Sequence, residues 1–379
     1  MNGFNFFLAD QIHDGFRFLK EKTVLVFQKD GRFERVVSLD EIEKNEVKTF
    51  RGILCPGFVN AHCHLELSYL RGKIKEGGGL HEFIKEVEKQ KQNSAEELQD
   101  AMQKADSEMY DSGINVVGDI CNTNHSFSVK QKSSIYYHSF FEVYGFHPDR
   151  AEKVFENAVQ LKNQWNKERG KNPFAVSIVP HAPYSVSEKL FSLLSGYASK
   201  WEAPLCMHSQ ESEDENLFFE NKSGKILERL HQFGINTDFF QSTGKNSLNS
   251  TLHFLPTNRN LLLVHNTYTS QTDVQFAVSC HPLVYFCFCP RANHFIERRL
   301  PDFSIFSNLK DRLCMGTDSY ASNYSFNFDE EIGFLKTLNP EIRMEDILKW
   351  STSNGSKLDR KSTRLNSSHI PLSRMPSSA

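Results

Sequence analysis

From residue 53 onward, short apolar runs recur along the chain and longer segments of helical period separate them. The runs are ILCPGFVN (53–60), INVVGDI (114–120), SIYYHSFFEV (134–143), FAVSIVP (174–180), APLCM (203–207), NLLLV (260–264), PLVYFCF (282–288) and RLCMG (312–316). Between them, AEKVFENAVQLKNQWNKERG and SEKLFSLLSGYASKW place apolar residues on one face of a helix and polar residues on the other. Eight predicted strands alternating with helices are the pattern of a (β/α)8 TIM barrel. An open doubly wound sheet is the alternative. It usually has fewer strands, and no Gly-x-Gly-x-x-Gly turn follows the first run here.

Residues 1–52 have a different rhythm. TVLVFQKDGRFERVV predicts two strands joined by a hairpin at Lys29-Asp30-Gly31. The expected organisation is α/β: a small, incomplete N-terminal β-sandwich over 1–52, the barrel over 53–358, and a tail over 359–379. The tail, DRKSTRLNSSHIPLSRMPSSA and its neighbours, is rich in Ser and Arg and has no periodicity. It reads as non-native sequence, such as translated vector or adapter DNA, rather than as a basic tail, and is expected to stay disordered.

Length agrees with this division, because 379 residues suit a barrel of about 250–300 residues plus an accessory domain. Hydrophobic residues make up 39% and charged residues 24%, enough apolar content for a packed core. A net charge of −3 gives no reason to expect nucleic acid or an anionic membrane as partner. No apolar run approaches the roughly 18–20 residues of a membrane span, and MNGFNFFLADQIHDG lacks the marks of a signal peptide. None of the eight cysteines forms a Cys-x-x-Cys pair, and Cys206, Cys287, Cys289 and Cys314 sit in apolar runs. That usage suits a reducing compartment, so the expected location is the cytoplasm. The chain is compatible with a homodimer.

In a barrel, catalytic groups come from the C-terminal ends of the strands. The first run leads into VNAHCHLE, with His62 and His64 one residue apart and so on one face of an extended segment. VPHAPYS ends the fourth run with His181, MHSQESEDE follows the fifth with His208 and Glu211, VHNTYT ends the sixth with His265, and GTDSYASN follows the eighth with Asp318. A lone histidine at a strand end reads first as a hydrogen-bonded structural group, and a lone Asp before Ser as a turn or cap. Five strand ends out of eight carrying His or Asp read otherwise. Two imidazoles from strand 1, one from strand 5 and a carboxylate from strand 8 can hold a borderline divalent ion and leave room for a water.

The segments PGFVNAHCHLELS, PHAPYSVS, HSQES, LVHNTYTS, CPRANHFI and GTDSYASN…FDEE resemble the amidohydrolase superfamily, over roughly residues 20–357. The similarity is to the branch of S-adenosylhomocysteine, aminodeoxyfutalosine and guanine deaminases and triazine chlorohydrolases. The resemblance implies that His62, His64, His208 and Asp318 bind one divalent metal ion, Zn²⁺ in the first place and Fe²⁺ in the second. It implies that Glu211 shuttles protons to a ring nitrogen, that His265 orients the water or the departing group, that Asp318 moves a proton, and that His181 and Tyr184 line the substrate site. The activity implied is hydrolytic deamination of a small purine-like or nucleoside-like heterocycle. The alternatives are a chlorohydrolase, a cyclic amide hydrolase, or a non-catalytic binding barrel. Family members usually continue past NGSK with strands that complete the β-sandwich.

Absences narrow the class. The fourth run carries no lysine of the kind that binuclear superfamily members carboxylate, and neither the cytidine-deaminase Pro-Cys-x-x-Cys pattern nor His-Glu-x-x-His occurs. Two further substrate contacts are expected. Arg291 could meet a carboxylate or phosphate, and His81 or Glu82 could reach ribose hydroxyls, although an exposed first helical turn is the simpler reading of that pair.

Overall fold

In the computed structural model, which describes residues 3–43, 46–90, 94–168, 176–200, 203–358 and 372–375, the chain begins with strands β1 (Phe4–Ile12), β2 (Thr23–Gln28), β3 (Phe33–Ser38) and β4 (Val47–Pro56). The expected hairpin is β2–β3, antiparallel, and Gly31 takes a φ of 88° in its turn, a conformation in which a Cβ would be strained. β1 lies between β2, to which it is antiparallel, and β4, to which it is parallel. Along β2, Val24 and Val26 pack into one apolar cluster and Leu25 and Phe27 into another, so this strand is buried on both faces.

The barrel-type runs follow as β5 (Phe58–Cys63), β6 (Ile114–Cys121), β7 (Tyr136–Val143) and β8 (Val176–Pro180), then β9 (Leu205–Ser209), β10 (Leu261–His265), β11 (Val284–Phe288) and β12 (Leu313–Met315). They form two four-stranded sheets in sequence order, β5 to β8 and β9 to β12, with every pairing parallel. Parallel strands covered by helices are buried on both faces, which is why they read as continuous apolar runs. All five residues of β10 are buried. The sheets approach at both edges. The amide of His208 donates to the carbonyl of His181 (2.9 Å), and those of Thr317 and Asp318 donate to the carbonyl of His62 (3.1 Å each). Helices occupy the intervals, among them Ala95–Asp111, started by a Ser94/Glu97 capping box, and Gln271–Cys280, started by Ser270 and Asp273.

Three expectations change. β4 runs through the 52/53 boundary, so ILCPGFVN divides: Ile53–Pro56 end the N-terminal sheet and Phe58 opens the parallel one. The Pro56-Gly57 pair is the break. FNFFLADQI, not predicted as a strand, is β1. Within the segment expected to be disordered, β13 (Leu372–Met375) pairs antiparallel with Ile53–Pro56 of β4 and becomes an edge of the N-terminal sheet. An unpaired strand edge accepts any extended backbone, whatever its side chains. Residues 359–371 and 376–379 lie outside the described residues.

Candidate active site

β5 delivers His62 and the residue after it leads to His64. β9 delivers His208, and the turn after β12 delivers Asp318. The Nε2 atoms of His62 and His64 are 3.1 Å apart, and those of His64 and His208 are 3.4 Å apart. Oδ1 of Asp318 lies 3.5 Å from Nε2 of His62 and 3.3 Å from Nε2 of His64. Four ligands at the corners of a tetrahedron with Zn-type bond lengths would be about 3.3 Å from one another. Four of the six separations among these donors therefore match ligands around one small divalent ion.

Protonation agrees. Burial, with the neighbouring imidazoles, holds two of the histidines neutral: His64 is pushed down to about 3 and His208 well below its usual range. Burial alone would raise Asp318, but His62, His64 and His265 outweigh it and hold the carboxyl well below the usual carboxylate range. On His208, Nδ1 lies 2.8 Å from the carbonyl of His181. A carbonyl only accepts, so the proton is on Nδ1 and the Nε2 lone pair faces the other donors.

The local backbone serves this convergence. Gly316 passes so close to β5 that a Cβ on it would lie 2.8 Å from the carbonyl oxygen of His62 and 2.9 Å from its Cβ. Asn60 and Thr317 lock β5 to the turn after β12 reciprocally, Asn60 Nδ2 donating to Thr317 Oγ1 (2.7 Å) and the Thr317 amide to Asn60 Oδ1 (3.0 Å). Ser322 donates to Oδ2 of Asp318, leaving Oδ1 to the imidazoles. Gln210, His265, Asn266 and Asp318 all have positive φ, between 48° and 74°. Left-handed non-glycine backbone costs of order 1–3 kcal/mol each and persists where surrounding structure imposes it, commonly at functional sites.

Glu211 and His265 adjoin the set. Oε1 of Glu211 is 3.5 Å from Nε2 of His265. Asn293 donates through Nδ2 to the His265 carbonyl (3.1 Å) and to Thr267 Oγ1 (3.0 Å), so its Oδ1 accepts from His265 Nδ1 (3.0 Å). The Nε2 of His265 thus carries a lone pair. Burial, then Asp318, Glu297 and Glu215, push the Glu211 carboxyl well above its usual range.

These groups form one end of a cavity of about 510 Å³. His181, Tyr184 and His81 line it. Glu82 does not. It is half-exposed and faces Lys85 at 3.3 Å. Arg291 is also not among the lining residues: its guanidinium pairs with Glu330 at 2.8 Å and its amide donates to Glu331. The carboxylates of the helix Phe328–Leu338 satisfy the charge that was expected to meet substrate.

Sequence reasoning missed Glu142, at the end of β7. It lines the cavity, and burial raises its carboxyl to about 8 against the opposing hydrogen bond from Asn122. Its signal was a carboxylate in the otherwise apolar end of SIYYHSFFEV, hidden because the run closes on Val143. Also missed were the buried Asp119–Lys130 pair and Asn293. Glu66, which follows the two histidines, accepts from the amides of Asn122 and Thr123 (3.1 Å each) and so ties two loops together.

Parallel βα units with this donor cluster at the strand ends define a metal-dependent hydrolase architecture. The chain belongs to the Amidohydrolase family, whose sequence model matches residues 53–359. Among characterised relatives, an aminodeoxyfutalosine deaminase of Deinococcus radiodurans is 26% identical over 58% of this chain, a match spanning about half (53%) of that protein. An aminodeoxyfutalosine deaminase of a Nitratiruptor species is 22% identical over 84% of this chain and 78% of its own. The crystal structure of Helicobacter pylori aminofutalosine deaminase in complex with methylthio-coformycin superposes with a TM-score of 0.80 at 19% identity, covering 98% of this chain and 90% of that one. Among the described residues no helix is long and apolar enough to cross a membrane.

Proposed function

We propose that this chain hydrolytically deaminates an aminated purine-like nucleoside, with one zinc-type ion held by His62, His64, His208 and Asp318. On the same reading the two parallel sheets close into a single (β/α)8 barrel, and β1–β4 form part of a β-sandwich domain beside it. The observation that carries the reading is a set of four donors, each 3.1–3.5 Å from at least one other, beside a buried carboxyl, Glu211, that stands outside the set.

When bound, the ion supplies Lewis-acid activation of a water at neutral pH. The chain's own groups move the protons. Glu211, kept protonated by burial, gives its proton to the ring nitrogen beside the carbon that bears the amino group. Asp318, a carboxylate, takes a proton from the attacking water and passes it to the leaving amine. His265, fixed by Asn293, offers its Nε2 lone pair to the water or the departing amine. A C–O bond forms, the C–N bond breaks and ammonia leaves; the new hydroxyl becomes the carbonyl by giving its proton back to Glu211, so water is the only co-reactant. The walls of the cavity, Leu80, Phe83, Ile84, Phe146 and Leu230 among them, exclude bulk water from this exchange.

Ammonia release from a panel of aminopurines, aminated nucleosides and aminopterins tests the reading. Turnover of at least one nucleoside, lost on chelation, is expected. Release of chloride from chlorotriazines or opening of cyclic amides without any ammonia would transfer the chain to another reaction of the family.

A further inference from the structure

Glu215 is fully buried in the first turn of the helix Glu213–Asn221 and is not among the residues that line the cavity. Its carboxyl accepts from three donors. The amide of Gln210 (2.9 Å) and the hydroxyl of Ser247 (2.6 Å) donate to Oε1, and the amide of Glu211 (3.4 Å) donates to Oε2. A carboxylate at the third position of a helix ordinarily serves the helix itself, by accepting from the amide of the N-cap residue. Here the N-cap is Ser212, and Glu215 passes it by for the two amides before it. Burying a carboxyl is costly, and burial pushes this one up to about 7 although all three bonds hold it down. The amide oxygen of a glutamine would serve Gln210 and Ser247 without that cost. Only a carboxylate serves the Glu211 amide as well.

The two amides belong to the turn that carries the proton donor. Strand β9 ends at Ser209, Gln210 takes a left-handed φ of 48°, and Glu211 follows it. Non-glycine backbone in this region is strained and persists only where its surroundings impose it. Part of that imposition comes from the neighbouring turn. The Gln210 carbonyl accepts from the amide of Tyr268 (2.9 Å), and its side chain accepts from Thr269 Oγ1 (2.8 Å) and donates to Asp273 Oδ2 (3.2 Å). These contacts anchor Gln210 to the segment that follows His265. The bond from the Glu211 amide to Glu215 extends the anchoring to Glu211 itself.

We propose that Glu215 is a positioning residue for proton transfer by Glu211: by holding the amides of Gln210 and Glu211 together it fixes the left-handed turn, and with it the place of the Glu211 carboxyl beside His265. It acts through Glu211 and stands behind the cavity wall. The inference rests on the role given to Glu211 above.

The experiment is a double-mutant cycle on the zinc-loaded full chain at about pH 8, above the value to which burial raises Glu215. The variants are Glu215→Gln, Glu211→Gln and the two together, read by kcat, KM, zinc content and hydrogen exchange of the Gln210 and Glu211 amides. Glu215→Gln keeps an oxygen for Gln210 and Ser247 but turns an NH₂ towards the Glu211 amide, donor against donor. Misplacing a reacting group by about 1 Å costs up to about a hundredfold, so kcat should fall about tenfold to hundredfold while KM changes by less than about threefold and zinc stays bound. The Glu211 amide should exchange about tenfold faster or more, and that of Gln210 less so. In the Glu211→Gln background the same substitution should cost less than about threefold, because the group it positions no longer transfers a proton. An equal loss in both backgrounds would make the role a general structural one and overturn the proposal. Loss of zinc, a change in KM alone or unchanged exchange at Glu211 would overturn it too. If Glu215→Gln does not fold, Glu215→Asp carries the same test: it keeps both acceptor oxygens, draws them back by one methylene and should give the same pattern. Faster exchange at Glu211, with no ammonia released by wild type from any aminated substrate, would uphold the positioning of Glu211 and refute only the deaminase reading.

Discussion

Replacing Lys130 by methionine should destabilise the protein by about 3–5 kcal/mol, the usual cost of leaving one member of a buried ion pair behind. Nζ of Lys130 lies 2.5 Å from Oδ2 of Asp119, and both side chains are fully buried. Burial alone would pull the lysine down, but Asp119 and Cys121 outweigh it and hold it above its usual range, so the group is an ammonium. It also donates to Ser139 Oγ at 3.0 Å. Methionine fills most of the volume and removes the charge. Asp119 is then left buried with the Leu65 amide on Oδ1 (2.7 Å) and the Cys121 thiol on Oδ2 (3.3 Å) as its remaining partners. The double variant Asp119→Asn/Lys130→Met removes both charges and keeps an amide oxygen for Leu65. Its expected cost is only about 1 kcal/mol, the worth of a neutral hydrogen bond. Urea unfolding at pH 7.5, followed by circular dichroism and tryptophan fluorescence, gives both numbers. Because Leu65 directly follows His64, the single variant should also give up its metal faster to a chelator. A single variant within 1 kcal/mol of wild type, by the same yardstick, or a double variant no more stable than the single, would refute the reasoning.

Two further outcomes follow from the site. Because burial raises Glu211, it holds its proton through neutral pH and releases it as pH rises through that raised value, so kcat/KM should fall on the alkaline side. Glu211→Gln should keep the metal, lose about 10²–10⁴ in rate and lack that alkaline fall; the same fall in the variant would assign it to another group. Arg291→Ala should change KM by less than about twofold, because its guanidinium is engaged by the half-exposed Glu330 in a pair of small net worth; a tenfold rise in KM would return Arg291 to the substrate.

The candidate site residues were legible in the sequence because a parallel βα fold places function where each apolar run stops. His62, His64, His181, His208, His265 and Asp318 could be found by looking at those ends. What was not legible depends on pairing across long separations. Asn60 and Thr317 are 257 positions apart, and neither has a local signal. Glu142 escaped because one more apolar residue follows it, and Asp119 because a buried carboxylate inside INVVGDI makes sense only once Lys130 is seen opposite. Arg291 was assigned to substrate by charge alone, and the competing carboxylates of the helix Phe328–Leu338 lie 39 and 40 positions away. β1 was passed over because FNFFLADQI is apolar at its start and polar at its end, with no sustained alternation. The division at Pro56-Gly57 carried a turn signal, but the apolar residues on both sides concealed that they belong to different sheets.

Metal content per chain tests the central claim most directly. Elemental analysis of the purified protein, after loading with zinc and removal of free ion, should give about one ion per chain for wild type and for Glu211→Gln, as a single four-donor site requires. His62→Ala, His64→Ala, His208→Ala and Asp318→Ala should each hold little or none while remaining folded. About two ions per active chain, or full retention of metal by any of the four alanine variants, would contradict the assignment of these donors to one site.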